Sequence, residues 1–232
     1  QIFNQLASIR DIKKDQLEEF FNERESDIHV LLDTIAVFKQ NTFQKLQAVQ
    51  NSRQQQLEDY FQQHLHNIQI LAANSIFAKF IAETELQIHQ ENESKAVEKY
   101  NDLFSNELHH YQQPYNYDDI LIIAKDGDII YSVKKRSDLQ QNVLQGKFKN
   151  THLQQAFQNG LNGIAIQDFA PYFPNNNQYT AFITAPIFNK NELVGVLVFS
   201  ILPTAINDIV NQQEIGKTYL VGQWNQQISY RS

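Results

Sequence analysis

Residues 1–113 contain neither glycine nor proline: the first proline is Pro114 and the first glycine is Gly127. A stretch this long without a strong helix breaker, rich in Gln, Glu, Lys, Leu and Ala, has few conformations open to it other than helix. Beyond it the composition shifts to Ile, Val, Phe, Tyr and Thr, with turn residues at short intervals. That is the pattern of a sheet with short helices. The order predicts an α+β chain, with long N-terminal helices followed by an antiparallel sheet with flanking helices.

The helical half repeats itself. Leu6–Lys39 aligns with Leu46–Lys79, so that Gln16-Leu17-Glu18 recurs as Gln56-Leu57-Glu58 and Phe20-Phe21 as Tyr60-Phe61. The offset of about forty residues is roughly 11 helical turns, which returns the repeat to nearly the same face. Within each copy the spacing alternates four and three. The first copy gives Leu17, Phe21, Arg24, Ile28, Leu31, Ile35 and Phe38; the second gives Leu57, Phe61, His64, Ile68, Leu71, Ser75 and Ala78. This is a coiled-coil-like seam with one polar residue at the same place in each copy. Arg24 and His64 are either a register device or snorkelling side chains on a helix flank. Asn41-Thr42 is the weakest point of the helix. A continuous helix of about 80 residues would be about 120 Å long and would need a second chain to cover its seam. The favoured arrangement is a parallel homodimer, with an antiparallel hairpin as the alternative.

A further helix is expected over Ser94–Tyr111, with Val97, Tyr100, Leu103, Phe104 and Leu108 on one face. Strands are expected at Asp118–Ala124, Asp128–Val133, Ile164–Asp168, Tyr179–Phe188 and Glu192–Leu202, the first two joined by a tight turn at Gly127. Helical pieces are expected near Ser137–Leu144 and Thr151–Asn159, with a turn at Gly160–Gly163. Pro203 starts a short helix, Thr204–Asn211. Lys217–Gly222 and Gln227–Tyr230 read as the first hairpin of another sheet. The organisation expected is therefore a helical region (1–113), a sheet module (114–213) and the start of a second, truncated module (214–232).

Composition narrows the function. The net charge is −7 and basic residues are scattered, whereas phosphate binding needs clustered Lys and Arg, so no nucleic-acid partner is expected. There is no cysteine, hence no disulfide or thiolate chemistry, which fits an oxidising compartment. There is no methionine, so the chain reads as an excised or processed piece. No apolar run reaches the roughly 18–20 residues that span a bilayer. No catalytic set is expected. His109-His110 are adjacent and His64 and His66 are badly spaced for a metal, so neither a metal nor a cofactor is expected. There is no Gly-x-Ser-x-Gly elbow. Glu18, Glu19, Glu58 and Asp59 read as a solvated face. Lys134-Lys135-Arg136 reads as a solvated strand end, with an anion site as the alternative.

Several segments in order carry a resemblance: DIIYSV after a DG turn, DFAPY followed by AFITAPI, LVGVLVFSI with a Pro-started helix, and GKTYLVG. Together they resemble the Cache domains of bacterial receptors, which are PAS-like extracytoplasmic sensor domains. QLEEFF and QLEDYF resemble the helix leaving the first membrane span of such receptors. GKTYLVG resembles the opening of the membrane-proximal module of double-Cache receptors, which would make residues 115–213 the membrane-distal one. The resemblance covers nearly the whole chain. It implies a PAS-like sheet, a location on the outer face of the cytoplasmic membrane between two spans, a small-molecule ligand, and an output through a chemoreceptor, histidine kinase or diguanylate cyclase. The family's common amino-acid-binding pattern, Arg followed closely by Trp and Tyr, is absent, and the single Trp is Trp224. The resemblance therefore does not imply an amino-acid ligand.

In PAS-like sheets the concave face and the loop after the third strand enclose the ligand, in a pocket of apolar walls with a few placed polar groups. On that resemblance Asp168, Phe169, Ala170, Pro171 and Tyr172 form the rim, stiffened by Pro171 and Pro174. Tyr172 and Tyr179 offer rigid rings with a polar tip, and Asp168 would take a ligand ammonium or polar hydrogen. Tyr131 and Thr184 complete the candidate set. Each has a structural reading: Phe169 as core, Asp168 as a cap on nearby backbone N–H groups. Two functions follow. A sensor would hold a cavity lined by Tyr131, Asp168 and Tyr172. A structural dimerisation or coupling module, read by a periplasmic protein, would pack those rings without a void.

Overall fold

The computed structural model describes residues 2–88, 104, 108, 111–112, 114–210, 221–224 and 227–230. The first helix, α1, runs unbroken over Ile2–Ala72, so the continuous helix rather than a hairpin at Asn41-Thr42 is observed. Thr34 and Thr42 do not break it, because their hydroxyls donate back to the carbonyls of Val30 and Phe38. The helix ends at Ala73-Asn74, where the Asn74 side chain accepts from the N–H of Ile76, and α2 follows over Ser75–Ile88. The repeat therefore spans a helix end that its periodicity did not mark.

Contacts divide the chain into two compact units, 1–52 and 53–232. In the first, the seam residues Leu17, Phe21, Ile28, Leu31, Ile35 and Phe38 are all exposed, by 44% to 72%. Arg24 is held within its own helix by Glu23 and Asp27, with its guanidinium 5.5 Å from the Phe20 ring. In the second, the equivalent positions His64, Ile68, Leu71 and Ala78 are buried.

The second unit is built on a five-stranded antiparallel sheet: β1 (Asp119–Ala124), β2 (Ile129–Ser132), β3 (Ala165–Tyr172), β4 (Gln178–Asn189) and β5 (Glu192–Ile201), in the order β2-β1-β5-β4-β3. Both faces are covered. Ile120, Ile122, Ile183, Leu197 and Phe199 pack with Ile68 and Leu71 of α1 and Phe77, Phe80 and Ile81 of α2. Leu121, Ile123, Phe182, Val196 and Val198 pack on the opposite side with Leu153, Ala156 and Phe157 of α3 (His152–Asn162). Covering on both faces is why β1 is buried along its whole length and reads DILIIA rather than alternating. The chain is thus α+β, with a long N-terminal helix leading to a five-stranded antiparallel sheet with flanking helices. A short helix, α4 (Thr204–Val210), follows β5, and β6 (Val221–Trp224) pairs with β7 (Gln227–Tyr230) in a separate two-stranded sheet.

Of the helix expected over 94–111, Phe104 and Leu108 are helical and fully buried; Val97, Tyr100 and Leu103 lie outside the described residues, as do Asn211 and Lys217–Leu220. Three local expectations are corrected. Ser137–Leu144 is not helical. It holds a turn and a bridge between Asp128 and Asn142, because the Asn142 amide ties to the Asp128 carboxylate at 2.7 Å and Gln140 takes a left-handed φ of 63°. Such local side-chain bonds compete with helix. Gly160 lies inside α3, not in a turn. A Cβ there would come within 2.7 Å of Val196 and 2.9 Å of Thr184, so glycine sets how closely α3 approaches the sheet. Finally, Asp168–Tyr172 is strand, not loop. Pro171 is tolerated because β3 is the sheet edge.

Gly195 in β5 is the tightest point of the other face: a Cβ would lie 2.5 Å from the Ile123 carbonyl oxygen and 2.9 Å from Ile81. Backbone cannot retreat as a side-chain tip can. Gly195→Ala is expected to lower the unfolding free energy by about 2 kcal/mol or more in urea titration, in the range of overpacked cores.

Candidate functional site

The sheet face under α3 changes character along its length. Beneath the helix it is aliphatic and aromatic. At the end where β1 begins and β2, β3 and β5 finish, the buried positions are Asp119, Ser132, Tyr172, Thr180 and Ser200. The segment after β2 closes over them, carrying Arg136 and Asp138, and Asn175 arrives from the short turn after β3.

Each group is tied by hydrogen bonds. Asp119 accepts from the N–H of Ile120 at 2.8 Å and of Lys134 at 3.0 Å, and from the Ser132 hydroxyl at 2.8 Å. The Ser132 oxygen in turn accepts the Lys135 N–H at 2.8 Å. Arg136 donates both terminal nitrogens to Asp118, at 2.7 and 2.9 Å. Asn175 and Ser200 also donate to Asp118, at 3.2 and 3.4 Å. Tyr172, edge-on to Phe182 with ring centroids 5.2 Å apart, donates its hydroxyl to Asp138. Asp138 is 0% exposed, and its second carboxylate oxygen, Oδ1, has no hydrogen-bond partner. The same neighbourhood shifts the titrations. Burial, chiefly, raises Asp119 to about 6, against the pull of its three donors. Burial and the adjoining Asp138 carboxylate push the Tyr172 phenol far up. Asp118 holds Arg136 above its ordinary value.

The sequence-predicted residues fall into three places. Tyr172 and Thr184 face α3, Tyr172 in the polar cluster and Thr184 against Gly160, with its hydroxyl 3.4 Å from the Ala165 carbonyl. Tyr131 and Phe169 face the other way, in the core shared with α1 and α2, where Tyr131 lies edge-on to Phe104 at 5.1 Å. Asp168 is exposed and its carboxylate accepts the Phe169 N–H at 2.7 Å, while Tyr179 is 43% exposed opposite Pro171. Tyr131 and Tyr172 therefore cannot line one cavity. The reason is a bulge. Gln167 pairs with Phe182 but Ala170 with Thr180, so β3 carries one extra residue and the faces exchange at Asp168-Phe169.

Sequence reasoning missed Asp118, Asp119, Ser132, Asp138, Asn175, Thr180 and Ser200. One signal was available: two aspartates open a strand that is otherwise wholly apolar. Of the basic run, Lys134 and Lys135 are exposed, and Arg136 turns inward to Asp118. Among the described residues no group of three or more His, Cys, Asp or Glu could hold a metal ion, and no helix is long and apolar enough to cross a membrane.

No family model matches the chain, and no curated protein matches it. Solved structures similar to it are sensor and ligand-binding domains of receptors. The sensor domain of the Vibrio cholerae histidine kinase DctB is 16% identical, with a TM-score of 0.44 over 72% of this chain and 61% of that one. The ligand-binding domain of the Campylobacter jejuni chemoreceptor Tlp3, in complex with 4-methylisoleucine, is 13% identical, with a TM-score of 0.43 over 78% of this chain and 68% of that one. That of the Pseudomonas fluorescens chemoreceptor CtaA, in complex with L-serine, is 10% identical, with a TM-score of 0.49 over 74% of this chain and 64% of that one. The likeness is one of arrangement and carries nothing about chemistry.

The Asp119 shift has a stability consequence. A carboxyl whose pKa is raised in the fold from 3.8 to about 6 is destabilised when ionised, so its contribution falls as pH rises through that window. His64, which burial lowers to about 4, has the opposite slope, because the unfolded chain takes up its proton first. Comparing Asp119→Asn with the parent chain cancels the His64 effect. The variant is expected to gain stability relative to the parent by on the order of 2–3 kcal/mol between pH 4 and pH 7, in urea unfolding at each pH.

Proposed function

We propose that this chain is the extracytoplasmic small-molecule-sensing domain of a bacterial transmembrane receptor, a chemotaxis receptor, sensor histidine kinase or diguanylate cyclase, with residues 114–213 as the sensing module. The observation that carries the reading is the buried polar end of the sheet. Asp119, Ser132, Tyr172, Thr180 and Ser200 are buried on one face, and Asp138 above them has a carboxylate oxygen without a hydrogen-bond partner. Strands hold such groups more firmly than loops do, as a recognition site requires. A structural coupler gains nothing from carboxylates taken out of water, since apolar packing at that end would be at least as stable. The sequence resemblance to Cache domains supports the same reading. Within it, the hairpin β6–β7 opens a second module, flanking spans anchor the parent protein, and the domain lies in the periplasm.

The exposed seam of residues 17–38 supports a second copy as partner. Six large apolar side chains at four-three spacing, each worth about 1.5–3 kcal/mol when fully buried, match what a parallel helix pair covers. Ligand binding would then pass to the output through the N-terminal helices of a homodimer.

A thermal-shift screen against carboxylates, amino acids, amines, purines and sugars tests the sensing reading. A ligand at 100 times its Kd stabilises the fold by about 2.7 kcal/mol, which is roughly a 5–10 °C rise in Tm for a chain of this size. A rise with one chemical class is the expected outcome. No rise with any class returns the domain to the coupler reading.

A further inference from the structure

The polar end of the sheet has an unequal charge balance. Three carboxylates, Asp118, Asp119 and Asp138, meet one guanidinium, Arg136. Asp118 occupies both terminal nitrogens of that guanidinium. A planar guanidinium engaged fork to fork by one carboxylate has little left to offer a second. Lys134 and Lys135 are exposed. Among the described residues, the one cation turned into the cluster, Arg136, is therefore already engaged by Asp118.

Its unmet need is of the other sign. Asp119 is saturated by three donors, and Asp118 by Arg136, Asn175 and Ser200. Asp138 has only the Tyr172 hydroxyl on one oxygen, and its other oxygen is buried without a partner. A buried carboxylate oxygen lacking a donor is costly until a hydrogen-bond donor, best a cation, meets it. Tyr172 fixes the carboxylate's orientation, and the Tyr172 and Phe182 rings beside it offer aromatic surface of the kind that favours an organic cation.

Resting on the sensing reading above, we infer that the ligand is a primary amine lacking a carboxylate, with its ammonium seated on Asp138. Asp138 supplies the charge and Tyr172 positions it. Arg136 stays with Asp118 and keeps the segment after β2 on the sheet. Asp138 is fully enclosed while Ser137 and Gln140 on the same turn are exposed, so entry of the ligand requires the turn at 137–140 to move aside. An amino acid would bring its own carboxylate into a site where Arg136, the cation turned inward among the described residues, is already taken by Asp118. The amine is therefore preferred over the amino acid from which it derives by loss of carbon dioxide.

Matched pairs test this directly. Isothermal titration calorimetry of the 232-residue chain would compare putrescine with L-ornithine, histamine with L-histidine and ethylamine with L-alanine, with propionate and glucose as probes of other classes. At least one amine is expected to bind at least tenfold more tightly than its parent amino acid. Asp138→Asn is expected to weaken that amine at least tenfold, whereas Asp208→Asn, exposed on α4, leaves it unchanged. Circular dichroism of Asp138→Asn checks that the fold persists. If it does not, Tyr172→Phe, which keeps the ring and removes the hydroxyl, is expected to weaken the same amine at least threefold.

The inference is overturned if an amino acid binds more tightly than its amine, or if Asp138→Asn binds the amine as the parent chain does. Binding of propionate or glucose alone overturns the amine class and leaves the sensing reading standing. Silence from every probe removes both.

Discussion

Arg136 grips Asp118 with both terminal guanidinium nitrogens, and the arrangement of the polar end follows from that contact. Asp118 stands at the threshold of β1, and Arg136 lies in the segment after β2. Joining them lays that segment across the end of the sheet and takes Asp119, Asp138 and Tyr172 out of water. A pair this sheltered owes more to its geometry than to Coulomb attraction alone, because removing two charges from water is costly unless every remaining lone pair is met. Here Asn175 and Ser200 help to meet them. The same contact consumes the cluster's cation. One ion pair thus closes the polar end of the sheet and leaves Asp119 and Asp138 without a cation of their own among the described residues.

The sheet beneath makes this possible because both its faces are dry. With α1 and α2 on one side and α3 on the other, each strand residue must choose a core, and a single extra residue reverses the choice. The bulge in β3 does so at Asp168-Phe169. Before it, Gln167 lies on the α3 face with Phe182; after it, Ala170 and Tyr172 do. Without that residue Tyr172 would face α1 and α2, and Asp138 would lose its one donor. The Asp168 carboxylate accepts the next N–H within the bulge, so its role here is to shape the turn of the chain.

These details explain how far the sequence could be read. The absence of Gly and Pro before Pro114 was enough to give a long helix, and the Ile- and Val-rich runs beyond it gave all five strands in order. Such signals are local, and they survive without knowledge of the tertiary neighbours. The helix end at Asn74 was missed because a single Asn side chain, not a breaker, makes it. Ser137–Leu144 was misread because Asn142 finds its partner, Asp128, across a hairpin, and propensity cannot see that pairing. Of the candidate site, Tyr172 stands in the polar cluster, while Tyr131 and Phe169 lie across the sheet from it. Their face depended on bulge parity, which alternation alone does not encode. Asp118, Asp119, Arg136 and Asp138 come from separate stretches of chain, and only the fold brings them together.

The cluster also touches the helical half by the shortest possible route, one residue of backbone. Tyr117 precedes Asp118. Its ring lies 4.2 Å from that of Phe199, whose neighbour Ser200 donates to Asp118. Its hydroxyl is hydrogen-bonded to Nδ1 of His64 in α1, a histidine whose pKa burial lowers to about 4. Tyr60 and Tyr115 enclose the same imidazole edge-on. Adjacent residues at the start of β1 thus face opposite ways, Asp118 toward the polar cluster and Tyr117 toward α1. One peptide links the two, so the segment entering β1 joins the polar cluster directly to the packing against α1. The polar member of the seam's second copy, His64, is where α1 meets Tyr117. Its counterpart Arg24 satisfies itself within its own helix. The repeat thus supplies one polar position with two uses, one facing the sheet's core and one facing water.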